Sequence, residues 1–299
     1  MSARMKVLLA ADGSGCVRAA EQLLIRIGDR DRLDITVMSV IPLFPPPPDD
    51  QLDFLRTTTI SASHGLRDAG FVVQGMHAQG DPAERILDRL KQDHFDLAVV
   101  GGGTHSWLAR ALLGSVAYSV LHGARCGVLV VHRAPLADDL APVPVLIATD
   151  GSSDARAALG TLVRFADPSA CVVDVVAVAT ATLPVLVGAA VGAEGGSADA
   201  GETERQMRLA AGDDAEACAA MLRDHEFVAT ESVMAGPTAT ALLERIDYSG
   251  ADLAVVGARG TGGFRELAVG SVSDRVVRNA PATLVGRHPT FTPFREFIR

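Results

Sequence analysis

Gly257-Ala258-Arg259-Gly260, followed after nine residues by Gly270-Ser271, is the segment of this chain whose residue types and spacing point most directly to chemistry. It comes after an apolar run at 252–256 that reads as a strand, and before a stretch that reads as a helix. Glycine lets backbone approach a bulky anion, and Gly257 and Gly260 are expected to take positive φ. The amides of Ser271, Val272 and Ser273 would point out of a helix N-terminus carrying partial positive charge, with the Ser271 hydroxyl capping the helix or donating to an anion. Arg259 adds a cation to the same loop. Such an arrangement suits a phosphate, although a tight loop before an N-capped helix needs the same residues.

Asp150 shifts the balance toward a ligand. It lies at the carboxyl end of an apolar strand, where a carboxylate can accept from ribose hydroxyls, and the strand end at 176–179, with Val178, offers main-chain groups to an adenine edge. Asp150-Gly151-Ser152 also reads as a helix N-cap. Catalytic and protein-metal residues are not assigned: no Ser/His/Asp or Cys/His pattern stands out, and the eight histidines show no ligand spacing.

The elements that must hold these residues occur twice. Val7-Leu8-Leu9-Ala10-Ala11-Asp12-Gly13-Ser14 returns as Val145-Leu146-Ile147-Ala148-Thr149-Asp150-Gly151-Ser152, an offset of 138. Leu97-Ala98-Val99-Val100-Gly101 and Gly114-Ser115-Val116 return as Leu253-Ala254-Val255-Val256-Gly257 and Gly270-Ser271-Val272, an offset of 156. The second copy therefore carries an insertion, placed in the Ala/Gly-rich stretch 183–201 and expected to be a mobile loop.

Each copy alternates strand and helix, with first-copy strands expected near 6–11, 34–41, 71–79, 97–101 and 127–132. That pattern demands right-handed crossovers and a parallel sheet covered on both faces. The fold class is α/β: two tandem, doubly wound, five-stranded, Rossmann-like domains at 1–134 and 143–288, with a proline-bearing linker between them.

On these motifs the chain resembles the tandem universal stress proteins, with their adenine-nucleotide α-hydrolase-like fold. Members that bind ATP carry G-x2-G-x9-G-(S/T), which Gly257, Gly260, Gly270 and Ser271 match in full. The strand-one Asp matches Asp150 and Asp12, and the adenine-contacting position falls at Val178 and Val40. The resemblance implies ATP (or AMP or ADP) as ligand, Mg²⁺ riding on the phosphates, and a stress-response regulator that works by binding. It also implies an internal pseudo-dimer through the last strands, the chain being a monomer or a homodimer of tandem chains, with an unknown protein partner. A slow ATPase and a nucleotide-free scaffold are the alternatives.

The first copy departs from the pattern. Gly101, Gly114, Ser115 and Val116 are in place, but Thr104 stands where the second glycine belongs, and a β-branched residue resists positive φ and adds bulk. A net charge of −9 argues against nucleic acid and anionic membrane as partners. Four dispersed cysteines imply a reducing compartment, and apolar runs too short for a signal peptide or a bilayer span make a soluble cytoplasmic protein the expectation.

Overall fold

A computed structural model describes residues 4–43, 48–103, 113–136, 141–180, 196–261 and 268–288. The first half runs β1 (Met5–Ala10), α1 (Gly15–Ile27), β2 (Leu33–Ile41), α2 (Asp49–Asp68), β3 (Val72–Gln79), α3 (Pro82–Gln92), β4 (Leu97–Gly101), α4 (Ser115–Gly123) and β5 (Gly127–Val131). The second repeats it: β6 (Val143–Thr149), α5 (Ser153–Phe165), β7 (Cys171–Ala179), α6 (Gly196–Asp224), β8 (Val228–Ala235), α7 (Thr238–Ser249), β9 (Leu253–Gly257), α8 (Ser271–Asn279) and β10 (Ala282–Gly286).

The helices form for local reasons. In α1, Val17, Ala20, Leu23, Leu24 and Ile27 make one buried stripe, and Ser14 caps the start by accepting from Val17 N. Asp81 caps α3 through Glu84 N, with Pro82 pre-set for the first turn. The stretch expected as a mobile loop at 183–201 is partly helical, since α6 already begins at Gly196; residues 181–195 lie outside the described residues. Downstream, Glu202–Arg205 and Glu204–Arg208 pairs stagger along that helix, which favours helix despite the glycines and alanines that read as loop.

The sheet order is β3-β2-β1-β4-β5-β10-β9-β6-β7-β8. Within each half every described pairing is parallel, and the order reverses between β1 and β4 and between β6 and β9. The halves join where β10 runs antiparallel to β5, from Ala282 opposite Val131 to Val285 opposite Val128. This is the expected internal pseudo-dimer, and it makes one continuous ten-stranded sheet.

Two apolar layers cover the sheet. One packs α1, α2, α5 and α6 and runs through both halves, from Leu23 and Ile27 to Leu159 and Phe165. The other packs α3, α4, α7 and α8, with Leu121, Val128, Val277 and Val285 near the joint. Asp29 N donates to Phe165 O at 3.0 Å and Asp167 N to Ile27 O at 2.7 Å, stitching the ends of α1 and α5 reciprocally. Burying side chains such as Leu129 and Leu284, both fully covered, is worth about 2 kcal/mol each.

Candidate functional site

The carboxyl ends of β6, β7 and β9 open onto a cavity of about 550 Å³ at the point where strand order reverses. That size fits a small-molecule ligand, and the place is where doubly wound sheets bind them. Asp150, Val178, Gly257, Arg259, Gly260, Gly270, Ser271, Val272 and Ser273, read from sequence as one constellation, all line it. Ala148, Val176, Leu242 and Val256 give it an apolar floor, while the Thr180 and Thr238 hydroxyls bond to each other at 2.9 Å.

The turn from β6 to α5 and the glycine loop after β9 clasp one another. Asp150 Oδ1 accepts from Ser152 N at 3.1 Å and Oδ2 from Thr261 N at 2.8 Å. Ser152 is the α5 cap, accepting from Ala155 N at 3.1 Å, and its hydroxyl also donates to Arg259 O at 3.2 Å. Asp150 is therefore not the helix cap; it ties its own turn to the loop. At the loop base, Gly270 N donates to Ala258 O and Ala258 N to Gly286 O, both at 2.8 Å.

Two sequence expectations need correcting. Gly257 and Gly260 do not take positive φ; the positive-φ glycine of the site is Gly151, at 69°. What Gly257 and Gly260 supply is room: a Cβ on Gly257 would stand 2.6 Å from Ala155 N, and one on Gly260 would stand 2.5 Å from Asp150 Oδ2. Nor does Ser271 cap α8. Gly270 occupies the cap position and has no side chain to give, so the first-turn amides receive no side-chain acceptor there. Ser271 is exposed, whereas the buried Ser273 hydroxyl donates to Gly257 O at 2.6 Å, bracing strand end against helix.

Arg259 is drawn inward. Its Nε donates at 3.0 Å to Asp154, whose side chain is 3% exposed. Thr261, Asp154, Thr180 and Thr238 were not legible as site residues, because each is a common polar residue outside the glycine spacing. Asp154 does carry a signal: under the 138-residue offset it faces Cys16 of the first copy, a polar-for-apolar exchange at a helix start.

In the first half, Asp12 Oδ1 accepts from Ser14 N at 2.9 Å, Val40 is buried one residue before the end of β2, and Gly101 closes β4. Gly114 caps α4 without a side chain and donates to Gly102 O at 3.1 Å, so Ser115 and Val116 again open a helix with bare amides. Thr104 lies outside the described residues. A Cβ on Gly103, where the second half has Arg259, would stand 2.6 Å from Cys16 Sγ, so this half has no ion pair of the Arg259–Asp154 kind. Burial pushes the Cys126 thiol up to about 12, which keeps it protonated and unreactive.

Fold and loop together define the class: a tandem, doubly wound α/β protein with a glycine loop and an uncapped helix start lining a cavity at the switch point of its second half. The chain belongs to the universal stress protein family, whose model matches residues 3–132 and again 144–285. A universal stress protein of Mycobacterium tuberculosis strain H37Rv is 32% identical over 225 residues, covering 73% of this chain and 70% of its own length. One of Mycobacterium bovis is 30% identical over 197 residues, and there the match spans 64% of this chain but 61% of the relative. The crystal structure of a universal stress protein from Archaeoglobus fulgidus aligns with a TM-score of 0.62 at 19% identity, over 95% of this chain and 96% of that one, which is a likeness of fold. Among the described residues no helix is long and apolar enough to cross a membrane.

Proposed function

We propose that the second half binds an adenine nucleotide, ATP with its Mg²⁺, and that the protein is a cytoplasmic stress-response regulator whose output is a change of conformation or of partner affinity. The observation that carries this reading is the cavity itself. It joins an apolar floor, an exposed carboxylate and a helix N-terminus with bare amides across a loop whose glycines let it pack close against α5 and Asp150. Val176 and Val178 would seat the base and Asp150 the ribose. Gly257 to Gly260 and the amides of Ser271, Val272 and Ser273 would hold the phosphates. Mg²⁺ supplies charge neutralisation among the phosphates; this chain's own groups bind and orient. Asp150 has the capacity for the ribose role, since each of its oxygens accepts one backbone N–H and retains a lone pair.

Calorimetric titration of nucleotide-free protein with ATP tests the assignment. Asp150→Ala and Gly260→Ala are each expected to weaken binding by about tenfold or more, roughly 1.4 kcal/mol. Full-strength binding by both variants would sink it.

A further inference from the structure

Behind the glycine loop sit two buried charged residues, Asp154 and Arg287, that do not line the cavity. Asp154, 2% exposed in the first turn of α5, accepts from Arg259 Nε through Oδ2 and from His288 N through Oδ1, the latter at 2.8 Å. Arg287, 5% exposed, lies within its field. Burial brings the Arg287 guanidinium down to about 10, against the pull of Asp154, so it stays cationic at neutral pH. Its Nη1 donates to Ala268 O at 2.7 Å, and its Nη2 to Leu121 O in α4 of the first half.

A buried guanidinium carries a desolvation cost, so its retention calls for a task that an apolar residue cannot do. Packing is not that task, because the two halves are a natural control. His132 follows β5 as Arg287 follows β10, and it reaches the same way across the joint, Nε2 donating to Val277 O at 2.8 Å. Cys16 takes the place of Asp154. The fold is thus built without the charged cluster in the half whose glycine motif is interrupted, and with it in the half whose motif is complete. The contacts say what the cluster does there. Arg259 is at the near end of the loop and Ala268 at the far end, two residues before the Gly270 cap of α8.

We propose that Arg287 and Asp154 are positioning residues for the phosphate loop of the second half, clamping its two ends against α5 and against α4 of the first half. The ligand arm of this inference rests on the nucleotide reading; the loop arm does not.

The test uses the full chain with Arg287→Met and Arg287→Lys, the latter keeping charge without a planar fork. Without nucleotide, amide hydrogen exchange at Thr261 and Gly270, which report the clasp and the loop base, is expected to quicken about tenfold in Arg287→Met while β9 stays protected, with Arg287→Lys between. Unchanged exchange at both amides overturns the proposal. With ligand, ATP affinity should fall about tenfold in Arg287→Met while adenosine affinity holds, because only phosphate recognition depends on loop seating. An equal loss for adenosine and ATP, or no loss for either, also overturns it. If the parent protein binds neither, the nucleotide reading fails and the exchange result alone decides positioning; if Arg287→Met does not fold, Arg287→Lys decides both arms.

Discussion

At the scale of single residues, the glycines were legible and the reason for them was not. Spacing marked Gly257 and Gly260, but φ is set by the loop's path, and only the structure shows that both are needed for space. The φ part of the objection to Thr104 therefore loses its support, and the bulk of its side chain is what remains. The two glycines should also behave differently when altered. A Cβ on Gly257 meets backbone at 2.6 Å, which cannot move away, whereas one on Gly260 meets the tip of Asp150. Gly257→Ala is expected to lower the melting temperature by several degrees, and Gly260→Ala to leave it nearly unchanged while weakening ATP binding; equal melting temperatures would contradict the steric account. His132 gives a pH prediction. Burial lowers its pKa below the ordinary 6.5, as it does for His122. The unfolded chain then takes protons more readily than the folded one, so this share of stability is complete above 6.5 and is lost as pH falls below it toward the folded value. Thermal melts at about pH 7.5 and about pH 5.5 should show a fall that is smaller in His132→Gln, whose amide can still donate to Val277 O. An unchanged fall would remove His132 from the account.

At the scale of elements, alternation of apolar runs with amphipathic stretches fixed the order of strands and helices, helped by caps such as Ser14, Asp81 and Ser152 at helix starts. The exception is the start of α6, where glycine and alanine dilute the helical period and nothing local distinguishes a helix from a loop. The charged cluster at Asp154 was equally hidden, since an acid in a first helical turn usually faces water. Caps offer a paired test of how an element serves the site. Ser14 and Ser152 start α1 and α5 alike, and the Ser152 hydroxyl also donates to Arg259 O in the loop. Alanine at either position should cost about 1 kcal/mol of stability by thermal melt. Ser152→Ala should in addition weaken ATP binding, and Ser14→Ala should not. Equal effects on ATP from both would show that the Ser152 clasp does not hold the loop.

At the scale of the whole molecule, the repeat in the sequence predicted two like halves, and their union follows from what the last strands leave exposed. β5 and β10 are wholly buried runs, and with parallel neighbours on one side only, each would end its sheet as an unprotected apolar edge. Pairing them antiparallel removes both edges and lets one apolar layer run through α1 and α5. Two such halves should unfold together, because separating them exposes Leu129 opposite Leu284 as well as the stitched ends of α1 and α5. Leu284→Ala removes a fully buried side chain at the joint and should cost about 2 to 5 kcal/mol. The loss is expected as a single transition moved to lower temperature, read alike by calorimetry and by exchange protection in β1 of the first half and β6 of the second. Two separated transitions, with the first half melting where it did before, would show that the halves are independent domains sharing a sheet but not their stability.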